Sequence, residues 1–157
     1  MSKDNISFPF AVDYRRKLTE VTRPARFHSI DSRIMDGTLS QPGTKARKLI
    51  KPQKVIYRAS LFSCVERVHS PEVERRIKAA GVRPANPFEY ICFLADFFHV
   101  EQVNRRYIVS LIPIKTPEGG LVVACCENAP NGCRVTLEPY ELNWGDPWCF
   151  LVLGEIR

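Results

Sequence analysis

Apolar residues fall on alternate positions at Phe8, Phe10, Val12 and Tyr14, the period of two that gives a strand one core-facing side. A second run rich in β-branched and aromatic residues, VIYRASLFSCVERV, begins at Val55. The period then changes: Phe88, Ile91, Cys92, Ala95 and Phe98 follow the i, i+3, i+4, i+7 spacing of a helix face. Beyond them lie four short apolar runs, Tyr107 to Ile114, Leu121 to Cys126, Cys133 to Leu137 and Trp148 to Ile156. The turn-forming segments KTPEGG, ENAPNG and NWGDP lie among these runs, which predicts a closely spaced antiparallel meander.

The clearest local grammar lies between Ser70 and Phe98. Ser70 suits a helix N-cap, Pro71 the first helical position, Glu72 and Glu74 the positive helix start, and Gly81 the left-handed stop, so a helix is predicted over Pro71 to Ala80. Asn86, Pro87 and Glu89 repeat the pattern as cap, first residue and capping-box partner of a second helix running to about Phe98. Its apolar stripe is expected to pack on the sheet face containing Ile108, Leu111 or Val123. The implied fold class is α+β: two helices packed on a small antiparallel sheet, preceded by an extended basic N-terminal arm. Residues 1–54 form the basic, mostly irregular arm and residues 55–157 the α+β domain. Pro9, Pro24, Pro42, Pro52 and the Asp36-Gly37 turn keep the arm irregular.

Charge sharpens that division. Of the net +6, residues 1–54 contribute twelve Lys and Arg against five Asp and Glu, whereas residues 55–157 carry eleven against twelve. Such asymmetry concentrates anions at one end of a molecule, so the arm is the expected contact for a nucleic acid or an acidic protein surface. The candidate contacts are Arg15, Arg16, Lys17, Arg23 and Arg26, interleaved with Tyr14 and Phe27, and a second cluster of Lys45, Arg47, Lys48, Lys51 and Lys54. The first ten residues lack the apolar core of a secretory signal, and no apolar run approaches the ~20 residues of a membrane span. A cytoplasmic protein with no membrane partner is the expectation.

Chemistry is sparser. Cys64, Cys92, Cys125, Cys126, Cys133 and Cys149 sit mostly in apolar runs, which favours buried free thiols over disulfides. The last four lack the paired spacing of a zinc site. Cys125 and Cys126 point to opposite faces of one strand, so one of them is expected to face away from the core and to be the more reactive. His28, His69 and His99 do not adjoin a cysteine, and no strained elbow marks a nucleophile. No catalytic residue, metal ligand or cofactor is assigned, and a cysteine-dependent enzyme built on Cys125 or Cys126 is a less favoured alternative. An alternative ligand site lies in the loop EPYELNWGDPW, where Tyr140, Glu141, Trp144, Asp146 and Trp148 combine aromatic faces with carboxylates that suit a cation or a sugar.

At Gly81 to Phe93, GVRPANPFEYICF, the chain resembles a group of uncharacterised bacterial proteins whose shared segment reads Gly-apolar-Arg-Pro-Ala-Thr-x-x-Glu-Leu-Leu-x-Phe. The closing Trp148 to Leu153 strand also looks alike. That resemblance implies architecture over roughly Pro71 to Arg157. A more distant likeness is to C-type-lectin-like domains of the sulfatase-modifying type, through Arg83, Pro84 and Glu89. The paired catalytic cysteines of that enzyme family are absent, so the likeness implies ligand display by loops without oxidase chemistry.

Overall fold

The computed structural model describes residues 6–35 and 53–156. Its centre is the strand β10, Trp148–Glu155, whose residues Cys149 to Leu153 are all buried. A continuous apolar run of this kind suits a strand covered on both faces. Its outer neighbours on one side are β3, Lys54–Ser63, and then β1, Ser7–Asp13, both antiparallel. On the other side β6, Tyr107–Lys115, runs parallel to β10 along Trp148 to Phe150. The two-residue β5, Arg83–Pro84, takes over at Val152 and Leu153. Antiparallel β7, Leu121–Ala129, and β8, Gly132–Pro139, extend the sheet, and β2, Phe27–Ile30, closes it parallel to β8. The order is β1-β3-β10-β6-β7-β8-β2, with β5 beside β10. A separate ribbon pairs β4, Val68–His69, with β9, Asn143–Trp144.

Helices cover opposite faces. On one lies α3, Ser70–Ala79, which follows the short α1, Leu18–Thr22, and α2, Ser32–Met35, in chain order. Val73 and Ile77 of α3 join Val109, Leu111, Val123, Cys125, Phe150 and Val152 in one core. On the other face lies α4, Pro87–Phe97, whose first eight residues are all buried between the sheet and its neighbours. Phe88, Ile91 and Cys92 pack there with Phe10, Val12, Ile108, Cys126, Leu151 and Leu153. A last turn, α5, Glu101–Asn104, leads into β6.

Two helices do form where the capping pattern placed them, and Gly81 has φ +78 at the end of α3. The expected α+β arrangement of two helices on a small antiparallel sheet is corrected, however. The sheet has eight strands and is mixed, and the helices sit on its two faces. Nor does an extended arm precede the sheet over Ser7 to Asp13, because those residues pair along their whole length with β3. The expected packing face is also corrected in part. Ile108 lies under α4, but Leu111 and Val123 lie under α3. Strand residues alternate between faces, so these positions cannot share one helix. For the same reason Cys125 and Cys126 are both buried, one in each core, and neither is a surface thiol.

Candidate functional site

The Arg-Pro-Ala-Asn-Pro corner assembles a buried polar network. Glu89 is 1% exposed, yet its carboxylate has a full set of donors. Asn86 N–H donates to Oε1 at 2.9 Å, completing a capping box in which Glu89 N–H donates to Asn86 Oδ1 at 2.9 Å. Arg83 donates to both carboxylate oxygens, at 2.9 and 2.7 Å, in the fork geometry that binds most tightly. Tyr14 donates its hydroxyl to Oε2 in a very short bond and meets the Tyr57 hydroxyl at 2.7 Å. The Arg83 guanidinium also lies 5.2 Å from the centroid of the Tyr57 ring. Burial and the Glu89 carboxylate push the Tyr14 phenol well above its ordinary range. The Arg-Pro-Ala-Asn-Pro corner thus ties Tyr14, at the end of β1, to α4.

That latch positions the basic residues. Asp13 stands opposite Lys54 in the β1/β3 register, and Tyr14 N–H donates to the Gln53 carbonyl at 3.2 Å. The Arg15, Arg16 and Lys17 turn is therefore brought beside Lys54, although the two basic clusters are far apart in the chain. Arg15 is paired with Asp13 at 2.8 Å, and its hydrogen bonds hold that carboxyl down to about 2. Arg16 donates to the Glu20 carbonyl at 2.9 Å and lines a small cleft with Lys54, Asp13 and Asp96. Burial raises the pKa of Asp96 there. Lys17 precedes α1, Arg23 follows it, and Arg26 leads into β2, all three exposed. Lys45, Arg47, Lys48 and Lys51 lie outside the described residues.

The aromatic loop is built into the second core. Trp144 is 1% exposed, edge-on to Trp148 at 5.1 Å and to Phe150 at 5.7 Å, and its Nε1–H donates to Ser70 Oγ at 2.8 Å. Ser70, predicted as a cap, is the first residue of α3 and spends its hydroxyl on the Tyr140 carbonyl at 2.5 Å. Tyr140 donates to Glu74 at 2.8 Å, and burial together with that bond pushes its phenol up to about 12. Glu141 and Asp146 are exposed, while Trp148 is partly covered by Tyr107 at 5.4 Å. Of the five proposed ligand residues, Trp144 and Tyr140 therefore have their polar atoms engaged within the fold.

All six cysteines are buried and none is in a disulfide. Burial pushes the Cys125 thiol well up, and the hydrogen bond to Cys126 with burial does the same for Cys133. Protonated, enclosed thiols are poor nucleophiles. His69 caps α3 in extended conformation, and His28 lies exposed on β2.

His99 instead belongs to a cleft of about 570 Å³ that the sequence reading did not foresee. Leu94 and Phe98 floor it, and Arg26, Asn104, Asn128 and Asn131 join His99 around it. The ENAPNG segment was legible as a turn, but nothing local to it indicates that the end of α4 and the start of β2 converge on it. No family model matches the chain, and no curated protein or solved structure matches it either. Among the described residues, no helix is long and apolar enough to cross a membrane.

Proposed function

We propose that this protein is a non-enzymatic interaction module that binds single-stranded nucleic acid through its N-terminal basic residues. The observation that carries the reading is the convergence at the shared end of β1 and β3, where the 15–17 turn meets Lys54. Lys54, the one described member of the second charge cluster, thus stands beside the first cluster at one edge of the sheet. Lys17, Arg23 and Lys54 project from exposed positions, where phosphate contacts release counterions. Arg15 joins them by exchanging Asp13 for phosphate, since exposed ion pairs contribute little.

Arg75, Arg76, Arg105 and Arg134 each bind a carboxylate within the domain, where eleven Lys and Arg stand against twelve Asp and Glu, while residues 1–54 carry twelve against five. The test is the salt dependence of binding to a labelled single-stranded oligonucleotide. Four phosphate contacts give a slope of log K against log salt of about −2.8, from roughly −0.7 per contact. A slope near zero, or binding only to acidic polypeptide, overturns the reading.

A further inference from the structure

We propose that the cleft between α4, the entry to β2 and the β7–β8 turn binds a nucleoside monophosphate, either free or as one residue of a single strand. The site does not depend on the basic edge at β1 and β3. Its walls are fixed by a close backbone contact. Gly132 has φ +130, and a Cβ there would stand 2.2 Å from the Arg26 carbonyl oxygen. That same oxygen accepts the Cys133 N–H at 3.3 Å. Only glycine permits this approach, so the loop carrying Arg26 is seated directly on the turn carrying Asn128 and Asn131.

The chemistry of the lining selects the ligand. Arg26 and His99 supply the basic groups, and among the described residues no Asp or Glu lines the cleft. Of the nearby acids, Glu127 pairs with Arg134 at 3.0 Å and Glu101 with Arg105, while Asp96 lines the neighbouring cleft and acts electrostatically on both Arg16 and His99. Among the described residues Arg26 has no ion-pair partner, so its fork of donors is available to a phosphate. Asn104, Asn128 and Asn131 each offer an acceptor and two donors, the set that matches the edge of a nucleobase. Leu94 and Phe98 give the flat base an apolar surface. A carboxylate with a purely apolar body would use Arg26 and the floor but leave three carboxamides unmatched. The volume of about 570 Å³ lies within the roughly 300–1,000 Å³ typical of small-ligand sites.

Titration calorimetry with adenosine, guanosine, cytidine and uridine monophosphates, their nucleosides and benzoate tests the proposal. At least one monophosphate should bind saturably, one to one. Binding should weaken at least about tenfold on loss of the phosphate or in Arg26→Gln, the scale of one charged hydrogen bond. Asn131→Ala should weaken it and alter the preference among bases. Both side chains are exposed, and an unchanged melting temperature verifies the fold of each variant. The double variant Lys17→Glu, Lys54→Glu should leave monophosphate binding intact, which separates this site from the strand-binding edge. Displacement by a 5′-phosphorylated oligonucleotide would identify a strand residue as the ligand, and displacement by free nucleotides alone a free one; both keep the site. No saturable binding of any monophosphate, binding indifferent to Arg26→Gln and Asn131→Ala, or equal binding of benzoate would overturn it.

Discussion

Glu89→Ala removes one carboxylate from three partners at once, and each loss has a different weight. The Asn86 N–H loses the reciprocal half of its capping box, worth about 1 kcal/mol for a helix cap. That donor and the Tyr14 hydroxyl are buried, and a stranded buried donor costs roughly 1–3 kcal/mol, although Tyr14 keeps the Tyr57 oxygen at 2.7 Å. Arg83 is 46% exposed, so water recovers much of its charge. The total is about 3–5 kcal/mol, the range for removing one member of a buried pair. For a domain of this size that lowers the melting temperature by roughly 6–20 °C. Glu89→Gln keeps one acceptor oxygen for the Asn86 N–H and presents its NH2 to the Tyr14 hydroxyl, which can accept, so the loss should be only about 1–2 kcal/mol. Urea unfolding followed by tryptophan fluorescence measures both. A loss below about 1 kcal/mol for the alanine variant, or equal losses for the two, would show that the network does not hold β1 to α4.

Ile91→Ala should cost about 2–5 kcal/mol, because Ile91 is 1% exposed under the sheet; a loss below half a kcal/mol would mean the wrong face of α4 is buried. Gly132→Ala should destabilise by roughly 1–3 kcal/mol and speed amide exchange at Cys133, since the new Cβ meets the Arg26 carbonyl; unchanged exchange would contradict the close approach. Tyr140, pushed up to about 12 from an ordinary 10, and Tyr14, pushed higher still, keep their protons in the folded state. Their contribution is complete below pH 10 and falls as pH rises through the folded values, so phenolate absorbance from them should appear only with unfolding. Asp13 and Glu72 behave oppositely. Arginine hydrogen bonds hold both near 2 against ordinary values of 3.8 and 4.5, so their stabilisation is present above the ordinary values and is lost as pH falls toward 2; carboxyl NMR titrations with midpoints near 4 would contradict this.

What was legible in the sequence is what local chemistry decides. Asn86, Pro87 and Glu89 mark the start of α4, and Gly81 ends α3, because caps and left-handed turns are set within a few residues. The strand over Phe8 to Tyr14 was legible by period, but its pairing with β3 was not, since Ser7 meets Ser60 across more than fifty intervening residues. Without that pairing, the strand reads as part of an arm and the sheet looks small. Trp144 shows the complementary limit. Its neighbours Glu141 and Asp146 suggest an exposed aromatic, whereas the β4–β9 ribbon turns its ring into the core and Ser70 satisfies its N–H. The Arg26 and His99 cleft left no linear signature, because its walls come from three separate parts of the chain.

The most direct test of the central claim compares two triple charge reversals for binding to the same labelled single strand at several salt concentrations. Lys17→Glu, Arg23→Glu, Lys54→Glu acts at the exposed positions of the proposed binding edge, and Arg67→Glu, Lys78→Glu, Lys115→Glu acts at exposed positions elsewhere. The first should abolish binding or reduce the magnitude of its salt slope by about 2, at roughly 0.7 per lost phosphate contact, while the second leaves the slope unchanged. Equal losses in both variants, or an unaltered slope in the first, would contradict a binding edge at this end of the sheet.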